Sequence, residues 1–204
     1  MARWEPDARG RLEKAAMELF QERGYARTTV GDIAERAGVT ERTYFRHFAD
    51  KREVLFSGSK DLEQAIVDRV VSAPSEAAPL AVTVGAIEAV AALLQARRDF
   101  SDVRARYAIV TEHAEVRERE LIKMASLATA VTKALHARSV SEPIASVVAE
   151  CGITVFKVGF ERWVSAKKPG EFAAHIRAAA EALRAASAST PPRALATRVA
   201  KHGK

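Results

Sequence analysis

Apolar residues recur along most of the chain at the spacing of helix faces. Between residues 8 and 23 they fall at i, i+3, i+4, i+7 and i+8, which is one stripe of an α-helix. This stripe consists of Leu12, Ala15, Ala16, Leu19 and Phe20. Comparable patterns predict further helices over 51–71, 80–98, 100–113, 114–138, 143–166 and 171–186. The chain is therefore expected to be all-α.

Two shorter helices are predicted between residues 29 and 48, and a glycine separates them. Thr29 and Asp32 have the spacing of a capping box at the start of the first helix. Gly38 suits the left-handed position that ends it, because glycine has no Cβ to clash. Thr40 can then cap a second helix from Glu41 to about Phe48. Two helices joined by a turn of about three or four residues with a glycine form the helix-turn-helix pattern.

The helix predicted from Lys51 to about Val71 links this N-terminal unit to the rest of the chain. Asp50 and Glu53 suit another capping box at its start. Because the helix would belong to both halves, movement in one half could reach the other.

The last two predicted helices have the features of a dimer seam. The helix over 143–166 is apolar nearly all the way round, so it needs cover on both sides. Packed with the helix over 171–186 against a second copy, it would form a four-helix seam across a two-fold axis. The residues expected at this interface are Val148, Val155, Phe172, Ile176 and Leu183.

Charge and cysteine content bear on the possible partners of the chain and on its cellular compartment. The net charge of the 204 residues is +6, but four uncompensated positive charges lie in the last fourteen residues, which leaves about +2 for the others. Net charge by itself is thus weak evidence for nucleic-acid binding. Cys151 stands alone, which excludes an internal disulfide and fits a reducing cytoplasm. With no apolar leader and no run of about eighteen uncharged apolar residues, we expect a cytoplasmic protein without a membrane span.

The pattern T-x-x-D-I-A-x-x-A-G-V-T-x-x-T-x-F-x-H-F begins at Thr29, and Lys51 and Leu55 follow it. Together with the leading helix before Gly24, this first quarter of the chain resembles the TetR family of transcriptional regulators. The resemblance implies a DNA-binding domain over 1–50, and an effector-binding and dimerisation domain over 51–186. The remaining residues, 187–204, are expected to be a disordered basic tail.

In a helix-turn-helix protein the second helix lies in the major groove. Arg42 could read a guanine through O6 and N7, and Glu41 could accept from a cytosine amino group. The residues expected to contact double-stranded DNA are Thr40, Glu41, Arg42, Thr43, Tyr44, Phe45, Arg46, His47 and Lys51. Among these, Arg46, His47 and Lys51 would face the phosphate backbone, with Lys51 at a helix N-terminus.

Some of these residues have an alternative interpretation or depart from the family pattern. Periodicity alone makes Tyr44 and Phe45 core residues, Arg46 a solvated charge and His47 a cap for its own helix. Many family members carry tyrosine at the position of Phe45, so a phosphate contact is lost there. Tyr44 replaces an aliphatic residue, and its hydroxyl is expected to reach outward. Gly31 stands where some relatives use a base-reading side chain.

The resemblance also implies a small-molecule effector inside the C-terminal bundle. The residues expected to line its pocket are Tyr107, Thr111, Met124, Leu127, Thr154, Phe156 and Trp163, although each could be plain core. The arrangement after Phe100 is similar to family members that respond to acyl-CoA-like molecules. The sequence does not identify the effector.

The sequence predicts a ligand-responsive repressor that binds a near-palindromic operator as a homodimer, and two other function classes are alternatives. An all-helical enzyme is disfavoured because the chain has no G-x-S-x-G, H-E-x-x-H, P-loop or G-x-G-x-x-G motif. Glu112, His113 and Glu115 could suggest a metal site, but a solvated helix end accounts for them better. A helical dimer that binds no DNA would leave the capped turn without a purpose. We expect no catalytic residue, metal or cofactor.

Overall fold

The structure, a computed structural model, describes residues 7–188. The α-helices in this range are α1 (Ala8–Arg23), α2 (Val30–Arg36), α3 (Glu41–His47), α4 (Ser59–Ser72), α5 (Pro79–Arg97), α6 (Phe100–Glu112), α7 (Ala114–Ala137), α8 (Ile144–Ser165) and α9 (Phe172–Ala188). A 3₁₀ helix spans Arg52–Phe56. These residues include no strand, so the all-α prediction is confirmed. The predicted tail lies almost entirely outside the described residues.

The predicted caps of the helix-turn-helix segment are present. Thr29 Oγ1 accepts from the backbone N–H of Asp32 at 3.1 Å, and Asp32 Oδ2 accepts from the N–H of Thr29 at 2.8 Å. Gly38 ends the first helix with φ +69°, a left-handed value that favours glycine. Thr40 Oγ1 accepts from the N–H of Thr43 at 3.2 Å and fixes the start of α3.

The link between the two halves is broken, and the prediction of one continuous helix over 51–71 is wrong. Asp50 Oδ1 accepts from the N–H groups of Arg52 and Glu53, as a cap should. However, the turn that follows is a 3₁₀ helix, and the backbone leaves helical geometry at Ser57 with ψ 135°. Gly58 then has φ +78°, and α4 begins at the next residue. A glycine in this left-handed conformation separates two rigid elements.

Two apolar clusters form the interior. The N-terminal cluster joins α1, α2, α3 and the 3₁₀ helix, and it also takes in Ile109 and Val110 of α6 and Val116 of α7. The larger C-terminal cluster joins α4, α5, α7, α8 and α9, and it takes in Val103 of α6. The ends of α6 and α7 that meet near His113 therefore pack against the helix-turn-helix unit.

Three of the residues expected at the dimer seam are buried inside the single chain. Val155, Phe172 and Ile176 are at most 1% exposed. A Cβ on Gly159 would lie 2.7 Å from Ile176 Cδ1, so α8 and α9 pack very closely at this point. Their assignment to a dimer surface is wrong, because these side chains pack inside the C-terminal cluster of the same chain. Val148 and Leu183 are half-buried against the same cluster.

The outward faces of α8 and α9 carry different residues. On α8, Ile144 and Val147 are exposed, the latter by 58%. On α9, Ala174, Ala178 and Ala182 recur every four residues and are all exposed. Small residues at this spacing allow a second helix to approach closely.

Helix α5 is long and apolar enough to cross a membrane on length and composition alone. It packs instead against α4, α8 and α9, with Val82, Ile87 and Val90 buried in the C-terminal cluster.

Candidate nucleic-acid interface

Helix α3 presents a polar, cationic face to solvent. Glu41, Arg42, Phe45 and Arg46 are exposed, and Phe45 exposes 53% of its surface. Neither Arg42 nor Arg46 forms an ion pair with any residue between 7 and 188. Two free guanidinium groups, one helical turn apart on a capped helix, form a surface suited to phosphates and base edges.

Tyr44 lies on the opposite face of α3, and its expected contact with DNA is wrong. Its side chain is fully buried, and its hydroxyl donates to the carbonyl oxygen of Asp50 at 3.1 Å. The ring packs 5.4 Å from that of Phe48 and 5.7 Å from that of Phe45. Burial raises the pKa of Tyr44 above its ordinary value. The hydroxyl points inward because a backbone carbonyl is available there.

The remaining polar residues of α3 are partly engaged in local structure. Thr40 caps the helix, and its Oγ1 lies 3.1 Å from that of Thr43. His47 is half-buried, and its Nε2 has no hydrogen-bond partner in the described part of the chain. His47 therefore has a shielded ring nitrogen that is not available to a phosphate in this conformation.

Lys51 joins the loop between α1 and α2 to the rest of the unit. Its Nζ donates to the carbonyl oxygens of Tyr25 at 2.8 Å and Thr28 at 2.9 Å. The ammonium group also lies 4.1 Å from the centroid of the Tyr25 ring. Burial lowers the pKa of Lys51. Because Asp50 already accepts from the amides that follow Lys51, the helix start expected to hold a phosphate is occupied by a side chain.

A set of contacts joins the 3₁₀ helix to α6 and α7, and no sequence pattern predicts it. Glu53 is paired with Arg119 and, at 3.3 Å, with Lys123. Arg106 Nε donates to the carbonyl oxygen of Leu55 at 2.6 Å, and Arg106 also pairs with Glu120 at 3.4 Å. These partners are 51 to 70 residues apart where they reach the 3₁₀ helix, which no local spacing rule covers.

The ion pairs between the 3₁₀ helix and α7 favour the charged form of the Glu53 carboxylate. Burial by itself would raise the pKa of Glu53, but the bonds from Arg119 and Lys123 outweigh it and hold the pKa below the usual value. Two cations lie close to the ring of Phe56: the Arg106 guanidinium is 5.0 Å and Lys123 Nζ 5.4 Å from its centroid. The junction thus combines ion pairs with cation–π contacts.

Five of the seven residues expected in the effector pocket lie in the C-terminal cluster. Trp163 stacks on Phe172 with centroids 4.5 Å apart, and Phe160 lies 5.7 Å from Tyr107 and 6.0 Å from Phe156. Met124 and Leu127 belong to the same cluster.

Thr111 and Thr154 are exposed, so their assignment to a pocket is wrong in this conformation. The Thr111 hydroxyl donates to the carbonyl of Ala108 in its own helix at 2.9 Å.

Two clefts open elsewhere on the surface. A cleft of about 360 Å³ between α7 and α8 is lined by polar residues that include Thr132, Lys133 and Glu150. A cleft of about 260 Å³ lies where the end of α1 meets the end of α6, next to Tyr25 and His113. Neither is lined by a residue expected to bind the effector.

The candidate metal ligands near residue 113 do not converge. No group of three His, Cys, Asp or Glu side chains within residues 7–188 could hold a metal ion. The His113 ring instead packs 4.7 Å from the ring of Tyr25.

Comparison with known proteins identifies the N-terminal unit. Residues 12–57, which contain the capped turn and α3, match the family model for bacterial regulatory proteins of the tetR family. The N-terminal unit of the chain is therefore a helix-turn-helix domain of the tetR-family type. It is 40% identical over 82 residues to the HTH-type transcriptional regulator TcmR of Streptomyces glaucescens, covering 40% of this chain and 36% of TcmR.

Other transcriptional regulators match longer parts of the chain. The HTH-type transcriptional activator FasR of Mycolicibacterium smegmatis is 31% identical over 124 residues, which cover 60% of this chain and 54% of FasR. The fold matches the crystal structure of Thermus thermophilus FadR, a transcriptional repressor in complex with lauroyl-CoA, with a TM-score of 0.55. That match has 22% identity and covers 91% of this chain and 98% of FadR. The chain thus spans about half or less of the length of these curated relatives. Both relatives are named as regulators rather than enzymes.

Proposed function

We propose that this TetR-family chain is a ligand-responsive transcriptional repressor that binds a near-palindromic operator as a homodimer. The observation that carries the proposal is the exposed face of α3, where Arg42 and Arg46 are free of ion pairs within the described chain. In a helix-turn-helix protein this helix enters the major groove. Residues 1–50 would form the DNA-binding domain and residues 51–186 the effector-binding and dimerisation domain.

The operator geometry follows from two-fold symmetry. Each protomer would insert α3 into one half-site, with half-sites roughly 34–36 Å apart or a multiple of that distance. The outward faces of α8 and α9 are the proposed contact between protomers, because Val147, Ala174 and Ala178 are exposed there. An isologous contact of this kind is the commonest route to a dimer.

An effector in the C-terminal bundle would release the DNA. The half-buried aromatic rings of Tyr107, Phe156 and Phe160 favour an apolar ligand in this region. FadR of Thermus thermophilus is described in complex with lauroyl-CoA, which makes this compound a rational first probe. A coupling of about 1–3 kcal/mol between the two sites is the usual scale for such regulation. We place the protein in the cytoplasm, with no metal, cofactor or membrane among its partners.

The test is a selection of genomic DNA fragments by the full chain, repeated with lauroyl-CoA. We expect one near-palindromic sequence to be enriched, and the enrichment to fall when an effector binds. An enzyme or a purely structural dimer would recover no preferred sequence, and that result would rule the proposal out. A reporter gene behind the recovered operator tests the sign of regulation, since FasR is named an activator.

A further inference from the structure

Gly31 and Glu41 are in contact where α2 and α3 begin. Gly31 is the second residue of α2, and Glu41 is the first residue of α3. A Cβ built on Gly31 would lie 2.8 Å from Glu41 Oε1 and 3.8 Å from Glu41 Cδ. Non-bonded carbon and oxygen atoms do not approach to 2.8 Å, so the carboxylate occupies the space that a side chain at position 31 would need.

Glycine matters at position 31 because it has no side chain. Gly31 lies inside an α-helix, where any residue can adopt the backbone conformation, so glycine is not required for the turn. Glu41 is exposed, and it makes no hydrogen bond or ion pair with a residue in the range 7–188. Because the clash would fall on the end of a flexible side chain, alanine at position 31 would move the carboxylate and leave the fold intact.

Glu41 and Arg42, which are neighbours on α3, offer different hydrogen-bonding groups to a base. A carboxylate can accept a hydrogen bond from the N4 amino group of cytosine in the major groove, whereas the guanidinium of Arg42 donates to guanine. Seated against Gly31, the carboxylate makes no ion pair with Arg42. The first turn of α3 therefore offers one acceptor and one donor at separate positions.

We propose that Gly31 determines where the Glu41 carboxylate sits, and that the pair sets a preference for cytosine at one position of each half-site. This inference rests on the proposed function, and it names a specificity-determining pair that consists of one residue from each helix of the motif. Gly31 is a positioning residue, since it acts on the base only through Glu41.

The experiment selects duplexes from a randomised pool with the full-length protein and its variants. The unchanged protein should enrich cytosine at one position per half-site, and Glu41→Ala should lose that preference. Gly31→Ala should reduce the enrichment of cytosine at that position by about tenfold, which is the scale of one good base contact, or should move the preference to another base. The double variant should behave as Glu41→Ala does, because alanine at position 31 can act only through the glutamate.

The matched control is Gly85→Ala. Gly85 is also a glycine inside a helix, it is exposed, and a Cβ there would meet no atom within 4 Å. The base preference of the Gly85→Ala variant should equal that of the unchanged protein. All variants should keep their thermal stability.

Three results would overturn the inference, and they are distinguishable. An unchanged preference in Gly31→Ala means that the glycine does not position the carboxylate. A loss of folding in that variant means that Gly31 is structural. If the unchanged protein enriches no sequence at all, the proposed function fails and the pair fails with it, whereas the first two results leave the operator intact.

Discussion

At the scale of single residues, exposure separates the side chains of α3 that can reach DNA from those that cannot. Arg42 is exposed and free, whereas Tyr44 two residues later is fully buried. Both side chains carry polar groups, but they lie on different faces of the helix. Residue type therefore suggests a contact, and the helix face decides it.

Arg42→Ala should lose roughly 1–3 kcal/mol of discrimination at one base position. The reason is that the guanidinium can bond to guanine O6 and N7 together. Binding-site selection measures the change. The control is Arg184→Ala, which removes an exposed charge on α9, far along the chain from α3. If both variants keep the same base preference, Arg42 does not read a base.

Lys51→Met should destabilise the fold by about 1–3 kcal/mol, because two carbonyl oxygens lose a charged donor. Urea unfolding measures the loss, and Lys60→Met is the control because Lys60 is exposed. The sequence instead predicts a phosphate contact for Lys51. A variant with unchanged stability and a shallower salt dependence of DNA binding would support that role and refute the structural one.

At the scale of elements, the short 3₁₀ helix is where the two halves are joined. It contributes Val54, Leu55 and Phe56 to the N-terminal cluster, while its polar atoms bond to α6 and α7. Tyr107, which faces the aromatic residues of the bundle, is the immediate neighbour of Arg106, which bonds to this helix. A shift of α6 would therefore act on both.

Glu53→Gln should destabilise the protein by about 1–2 kcal/mol at neutral pH, between the values for exposed and buried ion pairs. The pKa of Glu53 is lowered in the folded state, so its contribution is complete above the ordinary glutamate pKa and is lost as the pH falls through the lowered value. The difference between the two proteins should thus narrow on acidification. Urea unfolding across this range measures it.

Glu35→Gln provides the control for that experiment, because Glu35 is exposed and has no ion pair in the described range. It should change stability little at any of these pH values. A gap between the Glu53 variant and the unchanged protein that stays constant or widens on acidification would mean that the ion pairs with α7 contribute nothing.

At the scale of the whole molecule, the proposed dimer depends on which faces of α8 and α9 their own chain leaves uncovered. Val155 and Ile176 are used inside the protomer, and Ala178 is not. The two kinds of position should therefore respond differently to a charge. A charge at an outward position meets its own copy across a two-fold axis.

Ala178→Glu should give a folded monomer in sedimentation experiments, since the helix tolerates glutamate and the seam does not. Ala81→Glu, on α5, should remain dimeric because Ala81 is exposed and lies on neither seam helix. Ile176→Glu should instead unfold the protomer, because it buries an unpaired charge. A dimer that persists in Ala178→Glu would require a different seam.

The sequence by itself determined most of the helices and their caps, because these depend on residues that are three or four positions apart. Thr29 with Asp32, Gly38 and Thr40 acted locally as the spacing predicts. The break at Ser57–Gly58 also has a local signal, because a small residue is followed by glycine. The apolar periodicity continues across this break, and it therefore predicts one uninterrupted helix.

Only the tertiary structure decided which faces are inside and which distant charges meet. Helix α8 is apolar nearly all round, so its sequence cannot say which side its own chain covers. The inward turn of Tyr44, the bonds of Lys51 and the pairing of Glu53 with Lys123 all depend on groups brought together by folding. Such contacts have no fixed spacing along the chain, because packing between helices sets them.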